Sequence, residues 1–242
     1  MGIYKINIEK FGDEYLLVNW PQEISPKISE NILQFNSLLH KEIKNDFIES
    51  NITYASLCIR FDPENISFED LEKTLKVIYK GFNPAIKRNN TLWEIPVCYH
   101  PDLAPDLNLF CEKKNIEIDN LIEWHTKVIY RVYFLGFLPG FLYLGGLDER
   151  LYLPRRSTPR QSVPKGAVGI AGSQTGIYPQ ASPGGWNLIG RSPIELFTPT
   201  NNPPVVIQSG DEVKFKAIQF EEFKMIEDQV INKNFSLGQI NS

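Results

Sequence analysis

Eleven of the 16 glycines and seven of the 17 prolines in this 242-residue chain fall between residues 136 and 193. Neither residue suits a helix interior, where glycine costs about 1 kcal/mol against alanine and proline about 3. Short apolar runs survive between these breakers, at 132–135, 141–144, 168–170, 188–189 and 205–207. Short strands broken by turn residues indicate a β-barrel or sandwich, so the second part of the chain is expected to be mainly β. Two short helical pieces, around 106–113 and 119–127, lead into it after a loop marked by Pro101 and Pro105. The polar residues from Glu221 onward read as a closing helix and a loose end.

Residues 1 to about 99 follow a different pattern. Tyr4, Ile6 and Ile8 alternate, and residues 15–18 form a second short strand after Gly12 and Asp13. Ile28, Ile32, Phe35, Leu39 and Ile43 lie on one helical stripe. Two strand-like segments, 46–49 and 54–61, precede a helix that opens with Ser67 as N-cap and Asp70 three residues on. Leu71, Leu75 and Ile78 carry it to Gly81, and Trp93, Ile95 and Val97 alternate as a closing strand. This order predicts a small α+β sandwich close to a ferredoxin-like βαββαβ unit. The expected organisation is a ferredoxin-like α+β domain over 1–99 and a mainly-β domain over 100–242.

With 42% apolar and 22% charged residues the chain can bury a proper core. A net charge of -4 and a pI near 5.5 argue against a nucleic-acid partner. No apolar run approaches the ~18 residues of a membrane span. The opening MGIYKINIEKFGDEY lacks an apolar signal core, so a cytoplasmic protein without a membrane partner is expected. Cys58, Cys98 and Cys111 show no CxxC spacing. Buried free thiols are therefore expected, with neither a disulfide frame nor a tightly bound metal.

The chain has no P-loop, no strand-linked GxGxxG, no HExxH and no EF-hand loop, and Ser173 in GSQTG is not spaced as in a nucleophile elbow. His125 sits in DNLIEWHTK, on the last turn of a short helix and on the face of Leu121. Its near-neutral pKa suits a proton carrier, but the C-terminal helix dipole and local hydrogen bonds suit a structural histidine better. Six of the eight arginines fall between 131 and 191, four of them in ERLYLPRRSTPR. The planar guanidinium fork matches carboxylates and phosphates. Pro154 and Pro159 stiffen the loop, which reads equally as an anion contact, with Arg160 after Pro159 the first choice and Arg156 beside it, or as a solvated loop. GFLPGFLYLGG (136–146) offers Phe137 and Phe141 either as a pocket floor or as a barrel corner. GSQTGIYPQASPGGWNLIGR (172–191) offers Gln174, Tyr178, Trp186 and Arg191, and composition leaves it open between a surface loop and the wall of a site.

Several of these segments together resemble a known family. YRVYFLGFLPGFLYLGGL, PRRSTPRQSVPKGAVGIAGSQTGIYPQASPGGWNLIGRSPIELF and QSGDEVKF are similar to allophanate hydrolase subunit 1, as are WEIPVCY, FGDEYLLV and YASLCIRFD. That family includes bacterial 5-oxoprolinase B subunits (PxpB) and the sporulation kinase A inhibitor KipI. The resemblance covers about residues 12–218. It implies a ferredoxin-like domain followed by a cyclophilin-like β-barrel. It also implies a subunit 2 (PxpC-like) partner and a third subunit (PxpA-like), which together open 5-oxo-L-proline to L-glutamate at the expense of ATP. The lack of a nucleotide loop implies a shared or non-standard ATP site, with Mg2+ as an optional companion. In this reading His125 is the proton carrier, Arg160 the anion contact, Gln174 and Tyr178 orienting groups, and Phe137, Phe141, Arg156 and Arg191 further substrate contacts. The family also leaves open a histidine-kinase partner or a urea-derived substrate. The chain departs from it at YHPDLAPDL, where Asp106 and Leu107 match but the preceding acidic-Phe-Gly does not, and at Arg191-Ser192-Pro193, where Arg-Thr-Pro is commoner.

Overall fold

The apolar alternation at the start of the chain closes into a hairpin, β1 (Asn7–Lys10) against β2 (Tyr15–Asn19), with Ile8 opposite Val18. The structure, a computed structural model, describes residues 4–43, 45–84 and 90–240. It divides into two units, Met1–Asn89 and Asn90–Ser242. In the first, the helical stripe becomes α1 (Pro26–Glu42), which buries Ile28, Ile32, Phe35 and Leu39. The hairpin of β3 (Glu49–Ile52) and β4 (Ser56–Arg60) follows, then α2 (Phe68–Gly81). Ser67 caps α2 as the sequence implies, its Oγ accepting the Asp70 N–H at 3.1 Å. The strand expected at 46–49 starts instead at Glu49, where pairing with Arg60 of β4 begins.

The sheet of this unit is antiparallel, in the order β1-β2-β4-β3. Because β4 lies between β2 and β3, the connection β2-α1-β3 is a split β-α-β unit. The closing strand assigned here from sequence belongs elsewhere. Leu92–Cys98, as β5, lies in the sheet of the second unit. Alternation of Trp93, Ile95 and Val97 identifies a strand, but period-2 patterning carries no information about its partner.

In the second unit α3 (Leu107–Lys114) and α4 (Ile118–Lys127) follow β5. Next come β6 (Ile129–Leu135), β7 (Leu142–Gly145), β8 (Arg160–Val163), β9 (Ala167–Ala171) and β10 (Gln174–Ile177). The rest are β11 (Ser182–Gly184), β12 (Asn187–Arg191), β13 (Glu212–Ile218), α5 (Phe220–Ile231) and β14 (Gly238–Ile240). β5 runs parallel to β13, from Leu92 opposite Glu212 to Cys98 opposite Ile218. The order β12-β9-β10-β7-β6-β13-β5 returns to β12 through Arg191 opposite Cys98, so seven strands close a barrel. Closure leaves no free edge within the ring, which protects short strands such as these from mispairing. β14 adds to β5 outside the ring, and β8 and β11 form a separate two-stranded ribbon. Residues 205–207, expected as a strand, are bends instead, where the Val205 carbonyl is taken by the Gln208 side chain and Gln208 N–H by Asp211.

The core of this unit holds Ile95, Val97, Val132, Leu144, Ile170 and Val213 without exposure. Each such side chain contributes about 1.5–3 kcal/mol. A smaller cluster of Phe141, Val163, Tyr178, Trp186 and Leu188 packs the ribbon against the barrel. Cys98 and Cys111 are buried free thiols, and Cys58 is a half-buried one. Among the described residues no helix is long and apolar enough to cross a membrane.

Candidate functional site

The glycine-rich stretch 172–191 forms part of the barrel wall rather than a surface loop. It supplies two barrel strands, β10 and β12, and one ribbon strand, β11, between them. The glycines allow close approach, since a Cβ on Gly184 would strike the buried Tyr178 ring. This wall also holds the arginine loop by its backbone. Leu153 and Gly172 exchange hydrogen bonds (3.3 and 2.7 Å), Arg156 N–H donates to Gly185 O (2.8 Å), and Asn187 Nδ2 donates to Pro154 O (2.9 Å). Arg160 then enters β8 opposite Gly184 of β11. The loop that carries the arginines is thus fixed from behind before any ligand arrives.

Its anchor is Asp106, immediately before α3. The carboxylate is only 3% exposed. Its Oδ1 accepts Arg156 Nη1 at 2.8 Å and Arg160 Nη2 at 2.5 Å, and its Oδ2 accepts Leu188 N–H at 2.7 Å. Asp106 N–H donates in turn to Leu188 O at 3.1 Å, so the start of α3 is pinned to β12. A buried carboxylate is costly unless paired and hydrogen-bonded, and these donors meet that requirement. The two arginine side chains are 31% and 22% exposed. Each keeps one buried nitrogen, Arg156 Nε and Arg160 Nη1, without an acceptor among the described residues. Such a group costs about 1–3 kcal/mol while it lacks an acceptor, which makes the pair a candidate anion contact.

The other residues singled out from sequence are placed variously. Phe141 and Tyr178 are buried, with Phe141 edge-on to Tyr178 at 5.2 Å and to Trp186 at 5.5 Å. They were expected to meet substrate, but at this burial their rings are packing that supports the wall. Burial also holds the Tyr178 hydroxyl above its ordinary pKa, with Arg155 and Arg160 pulling the other way. Phe137 is 61% exposed in a left-handed turn (φ 67°) and meets Phe141 edge-on. Gln174 is half-buried at the start of β10, opposite Ala171. Arg191 stands apart from the pair in a groove of about 910 Å3 lined also by Lys165, Ser192, Glu195 and Glu227. There its Nε donates to Lys165 O at 3.0 Å and its guanidinium lies 3.6 Å from Glu227. Arg150 turns onto Asp148 and lies 3.9 Å over the Trp124 ring, holding the Asp148 carboxyl down at about 2.

His125 is not part of this cluster. It has no exposure and stacks on Phe215, with centroids 4.6 Å apart. Thr175 Oγ1 gives its one proton to Gly169 O (3.1 Å), so it accepts from His125 Nε2–H (2.9 Å). Nδ1 then accepts the Tyr99 hydroxyl (2.7 Å), which assigns the neutral tautomer. Burial pulls its pKa down to about 3. A proton carrier must reach solvent or a reacting atom, and this imidazole has both nitrogens committed inside the barrel. The expected catalytic histidine is therefore a core histidine by position.

Asp106 is the site residue that sequence reasoning left unassigned. A signal was present, because residues 151–191 contain no aspartate or glutamate. Any buried partner for Arg156 and Arg160 had to come from outside that stretch.

Residues 6–207 match the family model of the carboxyltransferase domain, subdomain C and D, and the chain belongs to that family, in keeping with its resemblance to allophanate hydrolase subunit 1. It is 34% identical over 235 residues to the 5-oxoprolinase B subunit of Bacillus subtilis (strain 168), covering 93% of this chain and 98% of that one. The crystal structure of TTHA0988 is 32% identical with a TM-score of 0.75, covering 85% of this chain and 40% of that one. The urea amidolyase of K. lactis shares the fold, at a TM-score of 0.82 and 21% identity over 99% of this chain and 16% of that one.

Proposed function

We propose that this chain is the B-type subunit of a cytoplasmic, ATP-dependent 5-oxoprolinase, inactive alone and working with PxpC-like and PxpA-like subunits. The observation that carries the reading is the match to the 5-oxoprolinase B subunit of Bacillus subtilis over 98% of its length. A lactam is a poor electrophile, and 5-oxo-L-proline carries a carboxylate beside it. Arg156 and Arg160 supply the orientation, gripping an anionic group of the substrate from a loop whose backbone is held in place. ATP, when bound, supplies the phosphoryl group that activates the lactam oxygen. No step is assigned to Mg2+ on this chain. His125 is assigned no proton transfer, because its ring nitrogens serve Tyr99 and Thr175. As part of the same proposal the first unit is ferredoxin-like, supported by its split β-α-β connection, and the barrel is cyclophilin-like.

A second reading, a subunit acting on a urea-derived acid, draws on the fold shared with urea amidolyase. Reconstitution of the chain with its PxpC-like and PxpA-like partners separates the two. The expected result is ATP hydrolysis that depends on 5-oxo-L-proline. Turnover with a urea-derived acid and none with 5-oxo-L-proline overturns the first reading in favour of the second.

A further inference from the structure

We infer that Asp106 is a positioning residue that makes the arginine pair a site for a small monocarboxylate and against polyanions. The inference deepens the proposed function and rests on it for the identity of the acid, 5-oxo-L-proline. Three observations carry it. Both guanidinium groups converge on one oxygen, Asp106 Oδ1, which fixes their relative orientation. The other oxygen and the backbone N–H of Asp106 are tied to Leu188, so the carboxylate cannot swing away to follow either arginine. One buried nitrogen on each arginine, Arg156 Nε and Arg160 Nη1, has no acceptor among the described residues, so each guanidinium keeps donor capacity toward a carboxylate.

Charge then selects among anions. Two guanidinium groups and one carboxylate leave a local charge of about +1, which one monoanion neutralises. A phosphate or polyphosphate brings two or more negative charges against a buried carboxylate, in a setting where like charges are poorly screened. Arg155 adds a further positive charge on the same loop, but it is exposed and screened. Asp106 thus holds the arginines in place and also limits how much negative charge they accept.

The test is a titration of the full chain with acetate, inorganic phosphate, 5-oxo-L-proline and 2-pyrrolidinone, which is the same lactam without its carboxylate. The parent protein is expected to bind 5-oxo-L-proline at least about tenfold more tightly than 2-pyrrolidinone, and acetate more tightly than phosphate. Arg156→Gln and Arg160→Gln each abolish the first difference, with 2-pyrrolidinone binding unchanged. Asp106→Asn reverses the acetate-to-phosphate preference, a readout that a merely structural ion pair does not move. Equal binding of 5-oxo-L-proline and 2-pyrrolidinone by the parent overturns the inference, as does an unchanged preference in folded Asp106→Asn. Should Asp106→Asn not fold, Arg156→Gln decides, since its side chain is nearly a third exposed. If acetate binding depends on both arginines while the reconstituted complex ignores 5-oxo-L-proline, the monocarboxylate site stands and the oxoprolinase reading falls. If turnover persists with KM unchanged in both arginine variants, the reverse holds.

Discussion

Two buried polar networks lie within the second unit, and they differ in one respect. Around His125 every proton has an acceptor, from Tyr99 through the imidazole and Thr175 to the Gly169 carbonyl. Around Asp106 the carboxylate is saturated by donors, yet Arg156 and Arg160 each retain a buried nitrogen without an acceptor among the described residues. A closed network serves the core, whereas an open one leaves donor capacity that a ligand can take. Residue type points the other way, since histidine is the commoner catalytic side chain. Satisfaction of hydrogen bonds makes the arginines, rather than His125, the candidate site.

The contrast breaks first at Asp106. Asp106→Ala strands two partly buried guanidinium groups and the Leu188 N–H, so urea unfolding should show a loss of about 3–5 kcal/mol. A loss below about 1 kcal/mol would mean that the cluster is solvated and the site loosely held. Next in size is His125→Ala, which leaves Tyr99 and Thr175 without their partner and opens a cavity against Phe215. The expected cost is about 2–4 kcal/mol in the same measurement.

His125 also predicts a pH dependence. The folded pKa of about 3 lies below the ordinary 6.5, so between these values the unfolded chain binds a proton that the folded one refuses. The stability this gives is fully present above pH 6.5 and is lost as pH falls toward 3, by up to about 1.4 kcal/mol per pH unit. Unfolding at about pH 6.5 and about pH 5 should show that slope in the parent and a flatter one in His125→Phe. Equal slopes would mean that the imidazole meets water in the native state.

The sequence exposed this structure unevenly, for physical reasons. The helices from Pro26 and Phe68 were legible because their apolar stripes and the Ser67 cap are local signals. The barrel was legible as a class, from breakers alternating with short apolar runs. Its closure was not, because the parallel pairing of β5 with β13 joins residues 120 positions apart in sequence, as Leu92 and Glu212 are. That same distance misassigned Leu92–Cys98 to the first domain. At the site, Arg156 and Arg160 were visible as a stiffened basic loop, while Asp106 was hidden among apolar neighbours and its role exists only through packing. Phe141 and Tyr178 were singled out for their chemistry, but the ribbon of β8 and β11 covers that face, which local pattern cannot reveal.

The smallest predicted effect sharpens the comparison most directly. Arg150 belongs to the same arginine-rich segment as Arg156 and Arg160, yet its donors are taken by Asp148 and its plane lies over Trp124. Its charge is the same and it is close in sequence, but it sits in a 3-10 turn, is more exposed and has its donors met. Arg150→Ala removes an exposed pair and a stacking contact, so it should cost no more than about 1 kcal/mol in unfolding. It should also leave the binding of 5-oxo-L-proline and acetate unaltered. If Arg150→Ala weakened acetate as much as Arg160→Gln does, net positive charge alone would account for anion binding. The orientation imposed by Asp106 would then be irrelevant.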